Sequence, residues 1–183
     1  MRELNVMVNG VPRTVRVDVR WLLVEALRDG VGLIGPKIGC GTGDCGACTI
    51  RVDGQARKSC LVLAVAAEGA DITTLEGLAD GDDLHPLQEA FCSEHAFQCG
   101  FCLSGMLLAA QELLESTPDP TDDEVEVALR GNLCRCTGYQ NIVRAVRKAT
   151  DVMSRQRAST TVPTVQLPGG GAADAAVSRG TGC

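Results

Sequence analysis

The chain has 183 residues, a formal net charge of −6 and no basic run to neutralise phosphates, so a nucleic-acid partner is excluded. It is 45% hydrophobic but only 3% aromatic, so its cores are small and bound groups must supply part of their stability. No apolar run approaches the roughly 18 residues of a membrane span, and MRELNVMVNG lacks the apolar stretch of a signal peptide. A cytoplasmic location is expected.

The first element reads as a hairpin. Leu4, Val6 and Val8 alternate with polar neighbours, Asn9-Gly10 supplies the turn, and Val15, Val17 and Val19 alternate on the return strand. A short helix is predicted over Trp21 to Arg28, with Trp21 in the core and Leu22, Leu23, Ala26 and Leu27 at helical spacing. A second hairpin is predicted from Thr49–Val52 and Gln55–Ser59 about Asp53-Gly54. From residue 85 the period changes to that of helices. These are expected at His85 to His95, Cys102 to Glu115, Thr121 to Leu129 (opened by a Thr121/Glu124 capping box) and Gln140 to Met153. Pro118 and Pro120 separate the second from the third. The last residues, from about Ala158 to Cys183, are rich in Gly, Ala, Ser, Thr and Pro and read as a flexible extension.

Eight of the ten cysteines fall into two sets of four. Cys40, Cys45, Cys48 and Cys60 are spaced C-x4-C-x2-C-x11-C inside GCGTGDCGAC. The C-x4-C-x2-C start with a distant fourth cysteine is the plant-type [2Fe–2S] spacing. Its interleaved glycines let backbone N–H groups turn towards sulfur. A structural zinc site usually joins two short paired units, a habit this triplet does not follow. The second set is Cys99 and Cys102 with Cys134 and Cys136, a C-x2-C and a C-x-C separated by 31 residues. Cys99 and Cys102 share a face if helical, whereas Cys134 and Cys136 require a turn, for which Gly131-Asn132 and Thr137-Gly138 supply the chemistry. Both pairs precede a helix, so a negatively charged centre would meet two helix N-termini. Taken alone, this second set also suits zinc. A disulfide framework is disfavoured in a leaderless chain.

GCGTGDCGACTI with Ser59-Cys60, then QCGFC at 98–102 and GNLCRCTGYQNIV at 131–143, resembles the iron–sulfur subunit of molybdenum hydroxylases over residues 3 to 153. That family includes xanthine dehydrogenases, aldehyde oxidoreductases and aerobic carbon monoxide dehydrogenases. The resemblance implies an α+β chain. A β-grasp ferredoxin-like domain (1–78) would hold one [2Fe–2S] cluster on Cys40, Cys45, Cys48 and Cys60. A small four-helix-bundle domain (79–155) would hold the other on Cys99, Cys102, Cys134 and Cys136, followed by the tail (156–183). It further implies that Gln98 and Cys136 contact the molybdopterin of a large partner subunit. The first cluster would face FAD on a medium subunit, in a dimer of heterotrimers, with electrons passing from molybdenum through both clusters to FAD. HPLQEAF (85–91) and ITTLEGLA (72–79) resemble small subunits of carbon monoxide dehydrogenase type. Two departures weaken that specific assignment: Leu103-Ser104-Gly105 replaces a common Thr-Pro-Gly, and Gly41-Thr42-Gly43-Asp44 differs from the Asp-Thr-Ser run of those enzymes. A freestanding two-cluster ferredoxin is the alternative.

Among the other residues, Cys92 matches no ligand position and is expected as a buried thiol. Cys183 reads as an incidental thiol, and with eight cysteines available His85 and His95 are not needed as ligands. Arg135 is a candidate to offset cluster charge, and Tyr139 a candidate to pack beside the second cluster. No base–nucleophile pair and no phosphate loop is present, so substrate chemistry is expected on partners.

Overall fold

A computed structural model describes residues 1–160. The tail reading and Cys183 therefore lie outside the described residues, apart from the tail's first few positions. Strands β1 (Arg2–Val8) and β2 (Val11–Val17) form the predicted hairpin, with Leu4, Val6 and Val8 buried and their neighbours exposed. The turn works because Asn9 and Gly10 both adopt left-handed backbone, φ 51° and 74°. Val19, predicted to continue β2 inward, instead lies beyond the strand and is exposed. Strands β3 (Thr49–Val52) and β4 (Gln55–Lys58) repeat the hairpin device at Asp53-Gly54.

One strand was not foreseen. β5 (Asp71–Thr73) lies at the centre of a five-stranded sheet of order β2-β1-β5-β3-β4, parallel to β1 and antiparallel to β3. It has three residues and one buried side chain, Ile72, too few to show a period of two. A mixed sheet with a parallel central pair, crossed by a helix, is the grasp arrangement. Helix α1 (Leu23–Glu25) begins two residues later than predicted and continues as a π-helical turn through Ala26–Val31, ended by Gly32 at φ 88°. Leu23, Ala26 and Leu27 pack on the sheet, while Trp21 is half-buried at the edge of that core. On its other side α1 presents Val24, which packs against Cys48 and Cys60.

The second half is the predicted bundle: α2 (Pro86–Ser93), α3 (Leu103–Ser116), α4 (Asp122–Leu129) and α5 (Gln140–Thr160). Its core joins Leu87, Phe91, Met106, Leu107, Leu114, Val125, Leu129, Ile142 and Val146. The Thr121/Glu124 box forms as expected, Thr121 N–H donating to Glu124 at 2.7 Å and Glu124 N–H to Thr121 Oγ1 at 3.3 Å. α5 runs to Thr160 rather than Met153, so the start of the extension predicted at 156 falls inside a helix. Cys92 is exposed, not buried, because α2 turns Leu87, Ala90 and Phe91 to the core.

The two halves meet along α3. Arg51 on β3 makes a two-pronged ion pair with Glu115, and Glu112 accepts the Ala56 N–H of edge strand β4 at 2.7 Å. The exposed edge of the sheet is thus capped by the neighbouring domain, which satisfies a donor otherwise open to mispairing. Ser104 Oγ donates to the Ala47 carbonyl at 3.3 Å, and a Cβ on Gly105 would lie only 3.1 Å from the carbonyl carbon of Gly46. Only glycine fits that seam.

Candidate metal centres

The loop from Gly32 to Cys48 brings the first cysteine set together below α1. Cys48 and Cys60 are nearly sealed, 2% and 3% exposed, whereas Cys45 is half-buried and Cys40 exposed. Backbone N–H groups of Thr42 and Cys45 each donate to Cys40 Sγ at 3.4 Å, and the Gly43 N–H serves Cys60. This is the inward turning of amides anticipated from the glycines. At Gly39 a Cβ would lie 2.8 Å from Cys45 Sγ, so the chain passes the sulfur too closely for a side chain. Hydrogen bonds from Thr42 and the Cys45 N–H hold the Cys40 thiol down at about 5. Burial, with Cys48 beside it, pushes Cys60 up to about 11.

The second set gathers where α3 and α5 begin. Cys102 immediately precedes α3, Cys99 lies in the preceding turn with Gly100 at φ 75°, and Cys134 and Cys136 occupy the turn before α5. Cys99 and Cys102 therefore do not share a helical face; a turn brings them together. Cys99 and Cys136 sulfurs are 3.6 Å apart. Cys102 is buried against Cys134; burial first and that thiol second push it up to about 12. Burial also pushes Cys134 up, but hydrogen bonds from the Thr137 hydroxyl (3.2 Å) and nearby N–H groups outweigh it and leave it lowered.

Among the described residues, no three His, Cys, Asp or Glu side chains converge as ligands of one ion would. The thiols are instead grouped in twos: Cys48 with Cys60, Cys99 with Cys136, and Cys102 with Cys134, while the Cys45 N–H is bonded to Cys40. Two thiolates for each of two irons is the donor set of a [2Fe–2S] centre, so the residues present fit that group. Thiols held at about 11 and 12 would have to lose their protons to ligate a metal.

The sets are adjacent. The Leu133 N–H, next to Cys134, donates to the carbonyl of Cys45 at 2.8 Å, and Phe101 packs beside Gly39. Buried Asn132 accepts from the Thr49 hydroxyl at 3.3 Å. Gln98 is exposed and donates through Nε2 to the Cys136 carbonyl at 3.2 Å, which groups the two residues expected to meet the pterin. Arg135 is exposed beside them. His85 is spent as the cap of α2, its Nδ1 accepting the Leu87 N–H at 3.1 Å, and His95 ends that region at φ 52°. Sequence reasoning missed the links made by Asn132, Leu133 and Thr137; their only sequence signal was membership of GNLCRCTGY.

Two family descriptions match: "2Fe-2S iron-sulfur cluster binding domain" over residues 6–85 and "[2Fe-2S] binding domain" over 74–147. The chain is 57% identical to the nicotine 6-hydroxylase small subunit of Paenarthrobacter nicotinovorans, covering 80% of this chain and 88% of that one. It is 44% identical to the nicotinate dehydrogenase small FeS subunit of Eubacterium barkeri, covering 81% and 94%. The crystal structure of quinoline 2-oxidoreductase from Pseudomonas putida 86 superposes with a TM-score of 0.82 at 47% identity, over 84% of this chain and 96% of that one. These relatives do not single out a carbon monoxide dehydrogenase. The chain carries two [2Fe–2S] domains and serves electron transfer within an oxidoreductase: it belongs to the iron–sulfur small subunits of the molybdenum hydroxylase family.

Proposed function

We propose that Cys40, Cys45, Cys48 and Cys60 hold one cluster and Cys99, Cys102, Cys134 and Cys136 the other, and that the chain is the relay between a large molybdopterin subunit and a medium FAD subunit. When bound, the clusters supply one-electron carriers; this chain's residues fix where those carriers sit and what surrounds them. The observation that supports a relay is the 2.8 Å Leu133–Cys45 hydrogen bond, which joins the two cysteine sets through one peptide group. A freestanding ferredoxin has no use for such a second site, nor for the exposed Gln98–Cys136 pair. In this reading that pair meets the pterin, and the exposed Cys40 edge faces the flavin.

The same reading puts the domain boundary near residue 78, and the overlap of the two family matches at 74–85 supports it. The assembly is a dimer of heterotrimers in the cytoplasm; among the described residues, no helix is long and apolar enough to cross a membrane. The names of the nicotine, nicotinate and quinoline enzymes support an N-heterocyclic substrate on the large subunit.

The test is reduction in the assembled complex. The substrate should reduce both clusters only when the large subunit is present. Gln98→Ala should slow reduction of the helical-domain cluster while iron content holds. Unchanged kinetics would remove Gln98 from the path, and substrate reduction of the isolated chain would overturn the relay.

A further inference from the structure

We infer that Tyr139 is a positioning residue of the relay, a clamp that holds the peptide link between the two clusters. This rests on the cluster assignment proposed above. Tyr139 is the chain's single tyrosine, and its backbone is left-handed at φ 70°, a conformation that bulky residues avoid. Such a conformation persists only where the surroundings hold it. Here they do. The Tyr139 N–H donates to Thr137 Oγ1 at 3.2 Å, and the ring packs on the helical core.

The strained backbone sends the phenol back across its own turn. Its oxygen accepts the Cys134 N–H at 2.8 Å and donates to the Asn132 carbonyl at 3.3 Å. One hydroxyl therefore grips the residues on both sides of Leu133, whose own N–H makes the 2.8 Å bond to the Cys45 carbonyl. Leu133 contributes no side-chain anchor, being 57% exposed. The residues before and after it are what hold its N–H on Cys45: Asn132 is buried against Thr49, and Cys134 is tied to the phenol. Without the hydroxyl, the Cys134 N–H and the Asn132 carbonyl lose their partner together. The Leu133 peptide is then free to swing, and electron transfer through a hydrogen bond falls steeply as that bond lengthens.

The test is Tyr139→Phe, which keeps the ring, in the full chain loaded with both clusters. Pulse radiolysis follows redistribution of the added electron between the clusters, and hydrogen-exchange mass spectrometry follows the amides of 131–139. The clamp predicts at least tenfold slower redistribution and at least tenfold faster exchange in that peptide. Peptides from the middle of α5, iron content and both paramagnetic signals should stay as in the parent. A redistribution rate within twofold of the parent, with iron retained, overturns the proposal. If Tyr139→Phe sheds iron, labelling with 3-fluorotyrosine changes this position alone and weakens the phenol as an acceptor. An intermediate rate then supports the clamp, and the parent rate refutes it. A parent chain without two cluster signals would instead defeat the relay reading itself, so the two failures are distinguishable.

Discussion

Gly105→Ala decides whether the seam between the domains is as tight as described. Gly105 sits inside α3, where replacing glycine by alanine ordinarily stabilises by about 1 kcal/mol. In this chain the added Cβ would lie 2.8 Å from Asn132 Oδ1 and 3.1 Å from the carbonyl carbon of Gly46, and nearer still to its oxygen. Restoring an ordinary separation of about 3.5 Å moves α3 off the cysteine loop by at least about 0.7 Å, and the opposing backbone cannot yield as a flexible side chain would. Overpacking of this kind costs about 2 kcal/mol. The same movement stretches the Ser104–Ala47 and Leu133–Cys45 bonds, worth about 0.5 kcal/mol each if half lost. Set against the helix gain, the net loss is about 2 kcal/mol. For a chain of this size that is an apparent melting temperature lower by about 4–8 °C. Circular dichroism melting of the fully loaded chain at one fixed scan rate reads it directly. A melting temperature raised or unchanged would show that the seam has slack and would refute the close-approach argument.

The Arg51–Glu115 bridge joins a nearly buried guanidinium to a carboxylate 46% exposed, so solvent screens it. A double-mutant cycle with Arg51→Met and Glu115→Gln should give a coupling of about 1 kcal/mol in denaturant melts, and a coupling near zero would mark the bridge as incidental. Burial holds His85 below its ordinary 6.5, against an opposing pull from Glu115, and the neutral Nδ1 caps α2. A lowered folded value means that the cap's contribution is complete above about 6.5 and fades as pH falls through the folded value. The parent should lose stability across that window, whereas His85→Ala should be weaker at neutral pH and lack that step. An identical pH profile in both proteins would contradict the cap.

Much of this was legible in the residues. Asn9-Gly10 and Asp53-Gly54 announced their hairpins because both need left-handed backbone that few residues adopt. The Thr121/Glu124 box announced α4 because its partners are local. The two cysteine sets announced a chain with two [2Fe–2S] domains because their spacing is written in the chain. What failed was non-local. β5 is a strand only because β1 and β3 flank it, and its three residues carry no period of their own. Cys92 is exposed because of how α2 rotates onto α5, which composition does not encode. The Tyr139 hydroxyl reaches back five residues through a strained turn, and no propensity rule foresees that path.

Electron paramagnetic resonance of the dithionite-reduced complex, with iron and acid-labile sulfide counted on the same sample, tests the central claim most directly. Two distinct reduced [2Fe–2S] signals with about four irons and four sulfides per chain are predicted, and Cys→Ser changes within one set should abolish one signal and spare the other. A single signal, or zinc in place of iron on Cys99, Cys102, Cys134 and Cys136, would contradict the relay.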